Sequence, residues 1–149
     1  MKISQRVTYG IMAAVDLAIN AKEAPIQARA IARRQSIPIR FLEQVLNSMK
    51  KAGLVDSLRG AQGGYMLMKE PSELSLADIL EALEGSVFHR AMQGQTARDK
   101  RLTKPELLLG NVWDQVEIAE REVLGGITIE QLAARQRAIE EQRNPMYHI

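Results

Sequence analysis

The sequence predicts a mainly α-helical fold with one small β-hairpin, and three observations carry that prediction. Apolar residues recur at helical spacing through most of the chain. The interruption that reads as strands, Leu54 to Leu58 and Tyr65 to Met68, surrounds a basic, glycine-rich turn, Arg59-Gly60-Ala61-Gln62-Gly63-Gly64. Just before it lie two short helical patterns with a brief connection, and a polar linker later separates off a long amphipathic pattern. A helix pair followed by a hairpin is the order of a winged helix-turn-helix, here with a long C-terminal dimerisation helix appended.

Ser4 to Asn20 sets Val7, Ile11, Ala14, Val15, Ala18 and Ile19 at helical spacing, with Ser4 suited to the N-cap. Ala24-Pro25 then breaks the pattern, because proline cannot continue a helix interior. Gln27 to Gln35 predicts a short second helix with Ala28, Ile31 and Ala32 on one face and Arg29, Arg33 and Arg34 largely on the others. Ser36-Ile37-Pro38 predicts the turn, with Pro38 at the first position of a third helix and Ser36 or Ile37 in its cap region. That helix is expected from about Pro38 to Ala52, with Phe41, Leu42, Val45, Leu46 and Met49 as its apolar stripe and Gly53 as its stop. In the hairpin turn, glycines permit positive φ and close backbone approach to another surface. A purely structural hairpin would not need the arginine beside them.

Ser75 and Asp78 form an Asp-type capping box for a fourth helix ending near Glu84, with Ile79, Leu80 and Leu83 on its apolar face. Gly85 to Thr103 reads as a polar, irregular linker with a basic patch from Arg98 to Arg101. Pro105 to Leu124 predicts the long helix. Its apolar residues Leu109, Val112, Trp113, Val116, Ala119 and Val123 make a near-heptad seam, and Glu117, Glu120, Arg121 and Glu122 lie outside it. Such a helix needs a partner surface: self-pairing across a two-fold axis is the economical solution, and folding back onto its own domain is the alternative. Gly125-Gly126 ends it, Thr128 caps a last helix of about Ile129 to Gln142, and Asn144 to Ile149 is expected to fray. The expected organisation is a winged helix-turn-helix domain over 1–84, a linker or sensor loop over 85–104, dimerisation helices over 105–143 and a tail over 144–149.

Composition narrows the function. A chain of 149 residues suffices for one packed domain, or for a small domain with an oligomerisation arm. No apolar run approaches the roughly 18 residues of a membrane helix, and the amphipathic N-terminus lacks the pattern of a signal peptide, so a cytoplasmic protein without a membrane partner is expected. The absence of cysteine excludes disulfides, thiolate nucleophiles, Cys-ligated zinc and conventional iron–sulfur clusters. The two histidines, His89 and His148, are too far apart in sequence to suggest a metal site, and none is expected. No activated nucleophile or base is recognisable, and Gly63-Gly64 joins two strands without dinucleotide-binding spacing, so an enzyme is not expected. The net charge of +2 hides an asymmetry: residues 1–69 carry 11 Lys/Arg against 4 Asp/Glu, and residues 70–149 carry 9 against 14. A balance of +7 in the first part points to a polyanionic partner, double-stranded DNA. It argues against the alternative of a winged-helix protein-interaction module that does not read DNA sequence.

Several stretches, taken together, resemble the Rrf-two family of bacterial winged-helix transcriptional regulators, whose members include the iron–sulfur-cluster assembly regulator, the nitric-oxide-sensitive repressor and the cysteine-metabolism repressor. The residues that carry the resemblance are Tyr9 with Ala13-Ala14, Ile31-Ala32, Phe41-Leu42-Glu43-Gln44-Val45-Leu46, Lys51-Ala52-Gly53-Leu54-Val55 and Arg59 to Tyr65. Ile79 to Gly85 and Ile127 to Leu132 continue it, so that it spans nearly the whole chain. The resemblance implies a homodimer in which the long helix packs against its counterpart and each half addresses one half of a palindromic operator. It assigns Arg40, Glu43 and Gln44 of the third helix to base edges and backbone, and Arg59 and Gly60 to the minor groove. The chemistry agrees: Gln pairs with an adenine edge, Glu accepts from cytosine, and Arg suits a narrow minor groove. Ser4, Arg6, Tyr9, Arg33 and Arg34 are assigned to phosphates, which set register. Arg40 departs from the small polar residue often found there, so the operator is not transferable from relatives.

Cluster-binding members place three cysteines between the fourth and the long helix. Here Met92 and Arg101 stand at the first and last of those places, and the middle one has no secure counterpart. Thr8, Met12 and Arg33 supply no extra ligand, and neither thioether nor guanidinium replaces a thiolate on iron. No cluster or other cofactor is therefore expected. His89, Met92 and the Arg98–Arg101 patch leave open a regulatory small molecule or protein partner, beside the simpler reading of a solvated linker.

Overall fold

The computed structural model describes residues 3–21, 23–85 and 103–144. Among these, the elements are α1 Gln5–Asn20, α2 Ala28–Gln35, α3 Ile39–Lys51, β1 Val55–Leu58, β2 Gly64–Leu67, α4 Leu76–Glu84, α5 Lys104–Gly125 and α6 Ile129–Arg143. The linker residues His89, Met92 and Arg98 to Arg101, together with His148 and the end of the tail, lie outside the described residues.

The central helix is α1, against which α2, α3, α4 and α6 pack. Its small buried residues Ala13, Ala14 and Ala18 allow that crowding, and Val7, Val15 and Leu17 fill the space between neighbours. Gly10 contributes by its lack of a side chain: a Cβ there would run into Leu83 of α4. The Ser4 hydroxyl caps α1 by accepting from the Val7 amide at 3.2 Å. Ile31 of α2, then Leu42, Val45, Leu46 and Met49 of α3, complete the core with Leu74 and Ile79.

The α2–α3 turn differs from expectation. Ser36 ends α2 in the left-handed conformation, φ +55°, rather than capping α3. Pro38 is the N-cap of α3, with extended ψ, rather than its first helical residue. Proline's fixed φ, −57° here, serves at either position; with ψ 129° Pro38 stays extended, and its carbonyl opens the ladder by accepting from Leu42 at 3.0 Å.

β1 and β2 pair antiparallel, with Val55 opposite Leu67 and Leu58 opposite Gly64. The strands begin one residue later and one residue earlier, respectively, than the apolar runs suggest. Ile26, between the Ala24-Pro25 break and α2, adds a one-residue bridge to Tyr65 through paired bonds of 2.9 and 2.7 Å. The wing is thereby fastened to the entrance of α2.

Ser75 and Asp78 form the anticipated capping box on α4, and Thr128 forms one with Gln131 on α6. The two caps lie side by side: Ser75 bridges to Thr128, and the Ile129 amide donates to the Leu74 carbonyl at 2.8 Å. Ile129 and Ala133 are consequently part of the core. The last helix therefore starts inside the N-terminal body and packs on α1, whereas the sequence reading grouped it with the dimerisation arm. By contrast, α5 buries no residue within the chain.

Candidate nucleic-acid interface

The apolar stripe of α3 faces α1 and α4, which leaves Ile39, Arg40, Glu43, Gln44, Asn47, Lys50 and Lys51 exposed on the opposite side. The expected base-reading residues Arg40, Glu43 and Gln44 thus share one solvent face, as i, i+3 and i+4 spacing requires. No acidic residue occupies the first turn of α3. Arg29 and Arg33 are exposed on α2.

The wing is built for a fixed tip. Gly63 donates to the Gly60 carbonyl at 3.0 Å and closes the turn, with Gly60 at φ +107°. A Cβ on Gly63 would collide with the Leu58 carbonyl, and one on Gly64 with the backbone of Ile26. Both glycines therefore serve close approach, which leaves Arg59 and Gly60 exposed at the end of a braced hairpin. Two side chains that sequence reasoning did not single out add to the brace. Gln27 Nε2 donates to the Ala61 carbonyl at 3.4 Å, and Lys50 Nζ donates to Ser57 Oγ at 2.6 Å, linking α2 and α3 to the hairpin.

The five residues assigned to phosphates divide in two. Arg33 is exposed on α2, and Tyr9 sets its ring edge-on to Phe41 with centroids 5.3 Å apart while its hydroxyl accepts from Gln5 at 2.7 Å. Ser4 is the α1 cap. Arg6 and Arg34, however, are committed within the chain. Arg6 donates to the Leu83 carbonyl at 3.3 Å and to Ser48 Oγ at 2.5 Å, clasping α1, α3 and α4. Arg34 donates through Nε and Nη2 to both carboxylate oxygens of Asp16, at 2.9 and 2.7 Å. That carboxylate holds the Arg34 guanidinium more firmly protonated than usual, chiefly through the hydrogen bond. Asp16 also accepts from Gln35 and Asn20. The only sign of this network in the sequence is one carboxylate on the apolar face of α1.

The seam of α5 faces outward. Leu109, Val112, Trp113, Val116 and Val123 are exposed, from 38% at Leu109 to 62% at Val123, and Ala119 is exposed with them. Glu106, Gly110, Glu117 and Leu124, which are half-covered, lie on an adjacent face of the helix, and the half-covered Glu120 stands one turn after Val116.

The chain has no cysteine, and no three His, Asp or Glu side chains among the described residues converge as a metal site. Among the described residues no helix is long and apolar enough to cross a membrane.

Known proteins fit this geometry. Residues 3–135 match the sequence model of the family Rrf2, described as an iron-dependent transcriptional regulator. The chain is 35% identical over 134 residues to the HTH-type transcriptional regulator CymR of Bacillus subtilis, covering 90% of this chain and 91% of that one. It is 30% identical over 143 residues to the HTH-type transcriptional regulator IscR of Photorhabdus laumondii, covering 94% of this chain and 84% of that one. The solved structure of CymR, named the global cysteine regulator of B. subtilis, superposes with a TM-score of 0.72 at 32% identity, over 91% of this chain and 98% of that chain. T. potens IscR gives the same TM-score at 34% identity, over 91% and 88%. The chain belongs to the Rrf2 family of DNA-binding, winged-helix transcriptional regulators.

Proposed function

We propose that the protein reads a palindromic operator as a homodimer, sequence-specifically, and without an iron–sulfur cluster. The observation that carries this reading is the pairing of two exposed elements on one braced frame: the polar face of α3, with Arg40, Glu43 and Gln44, and the wing tip, with Arg59 and Gly60. In this reading α3 enters the major groove, where Gln pairs with adenine and Glu accepts from cytosine. The wing places Arg59 in the minor groove, where the guanidinium meets concentrated negative potential and Gly60 lets the backbone come close. Arg33 and Tyr9 contact phosphates and set register. Arg6 and Arg34 leave the phosphate set and hold the helices that present it.

The uncovered seam of α5 supports self-association, since an apolar stripe of this length on a soluble regulator calls for a matching surface. Two-fold pairing also explains why a palindrome would be read. The cluster-independent part of the reading rests on the donor set: the family description names iron, but this chain offers no thiolate to hold it.

The test is binding of the full-length protein to duplexes enriched by it from a random pool, over a salt series. A steep salt dependence with retained sequence preference is expected, and Arg59→Ala should weaken binding at least tenfold. Equal binding to every duplex, unaffected by that substitution, would sink the reading. For the cofactor, protein purified without oxygen should show no visible absorption band. Broad bands that bleach with an iron chelator would overturn cluster independence.

A further inference from the structure

Ile39 has no role in the fold as described so far. It is the first residue of α3, 39% exposed, and is absent from the apolar side chains packed on the core. Between residues 3 and 85, the exposed large apolar side chains among the described residues are Ile3, Ile39, Leu58 and Met68, so Ile39 alone among them lies on α3. Its neighbours on the exposed face are all polar: Arg40, Glu43 one turn on, Gln44 and Asn47. Ile39 stands three and seven residues before the buried Leu42 and Leu46, at the border of the apolar stripe, and 39% of it stays open beside that polar face.

We infer that Ile39 reads the 5-methyl group of a thymine in the operator, as the apolar member of the α3 reading set. The inference rests on the proposal that α3 occupies the major groove. There thymine is the base that offers an apolar group, and the N-terminal residues of a recognition helix are those that reach base edges. The χ1 stiffness of isoleucine presents its methyls with little ordering cost. The choice is also negative: opposite cytosine or adenine, the same side chain strips water from an exocyclic amino group and returns no hydrogen bond. Ile39 and Glu43, at i and i+4, hold their Cβ atoms about 5–6 Å apart. With a rise of about 3.4 Å per base pair, the thymine lies within two pairs of the position addressed by Glu43.

The experiment uses the full-length protein and the duplex it enriches from a random pool. Each thymine of one half-site is replaced in turn by deoxyuridine, which removes only the methyl. For the unmodified protein, one replacement should weaken binding roughly three- to fivefold, the effect of one buried methyl group. Ile39→Ala should bind the thymine and deoxyuridine duplexes equally and lose preference at that pair, while Ile39→Val keeps both. Thermal melting of each variant checks that the fold persists. If Ile39→Ala retains the full methyl effect, or no thymine shows one, the inference is overturned. Glu43→Ala and Gln44→Ala separate it from the wider reading: if neither changes the enriched sequence, α3 does not read the major groove at all.

Discussion

Asp16 and Arg34 form an ion pair of 2.7 Å in which the aspartate side chain is fully buried and the arginine side chain remains 41% exposed. The pair joins the central helix to the first helix of the helix-turn-helix, and Gln35 and Asn20 complete the carboxylate's shell. A buried charge is tolerable only while its donors are present. Among its neighbours on α2, Arg34 is thus a structural arginine, although Arg33 beside it is free to face solvent.

Removing one side of this pair should be costly. Arg34→Ala leaves Asp16 with fewer donors in a site shut off from water, and we expect a loss on the order of 2–4 kcal/mol, discounted for the exposed arginine. Urea unfolding measures it. An unchanged midpoint would show that water or the remaining amides fully replace the guanidinium.

Arg33→Ala should behave in the opposite way. Stability should change by less than about 0.5 kcal/mol, as for an ordinary surface substitution. Affinity should fall by a similar factor for all duplexes, and the slope of log affinity against log salt should shrink by about 0.9, one phosphate contact. An unaltered slope would remove Arg33 from the interface.

Gly64→Ala tests the wing brace. The added Cβ meets the Ile26 backbone, and φ +149° is unfavourable for an L side chain. The Ile26–Tyr65 bridge should open, so that these two amides exchange with solvent at least tenfold faster while the amides of α1 keep their protection. Equal exchange at both positions would mean that the wing does not depend on this contact.

The seam of α5 is tested by a charge. Val116→Glu places a carboxylate in the middle of the stripe, and desolvating it at a paired interface should weaken self-association on the order of a hundredfold. Sedimentation equilibrium would then show a monomer at concentrations where the unmodified protein is expected to form the proposed dimer. A variant that still dimerises would place the interface elsewhere.

The start of α5 should respond to acid. The Thr103 amide, and secondarily its hydroxyl, hold the Glu106 carboxyl below its ordinary value of 4.5. Because the folded value is depressed, the capping contribution is complete above that pH and is lost as pH falls through the lower folded value. The Thr103 amide resonance should report a midpoint below 4.5, absent in Glu106→Gln. A midpoint at or above 4.5 would show that the box does not form in solution.

Much of this protein is legible from residue pattern alone. The apolar periods of α1 and α3, the Ser75–Asp78 and Thr128 caps, and the glycines around Arg59 are local signals, and local signals suffice where a helix or turn is decided by its own neighbours. The polar face of α3 follows from the same logic, since a helix whose stripe is buried must show its remaining residues. What tertiary structure alone decided is long-range. The one-residue strand at Ile26 exists because Gly64 permits a second backbone to approach, and no period of one residue can be read. Ile129 and Ala133 enter the core because two helix caps, far apart in sequence, meet at Ser75 and Thr128. Composition made Arg6 and Arg34 resemble the other basic residues of the first half, and only their partners, Ser48, Leu83 and Asp16, turned them inward. Charge in a sequence has a sign but no direction; packing supplies the direction.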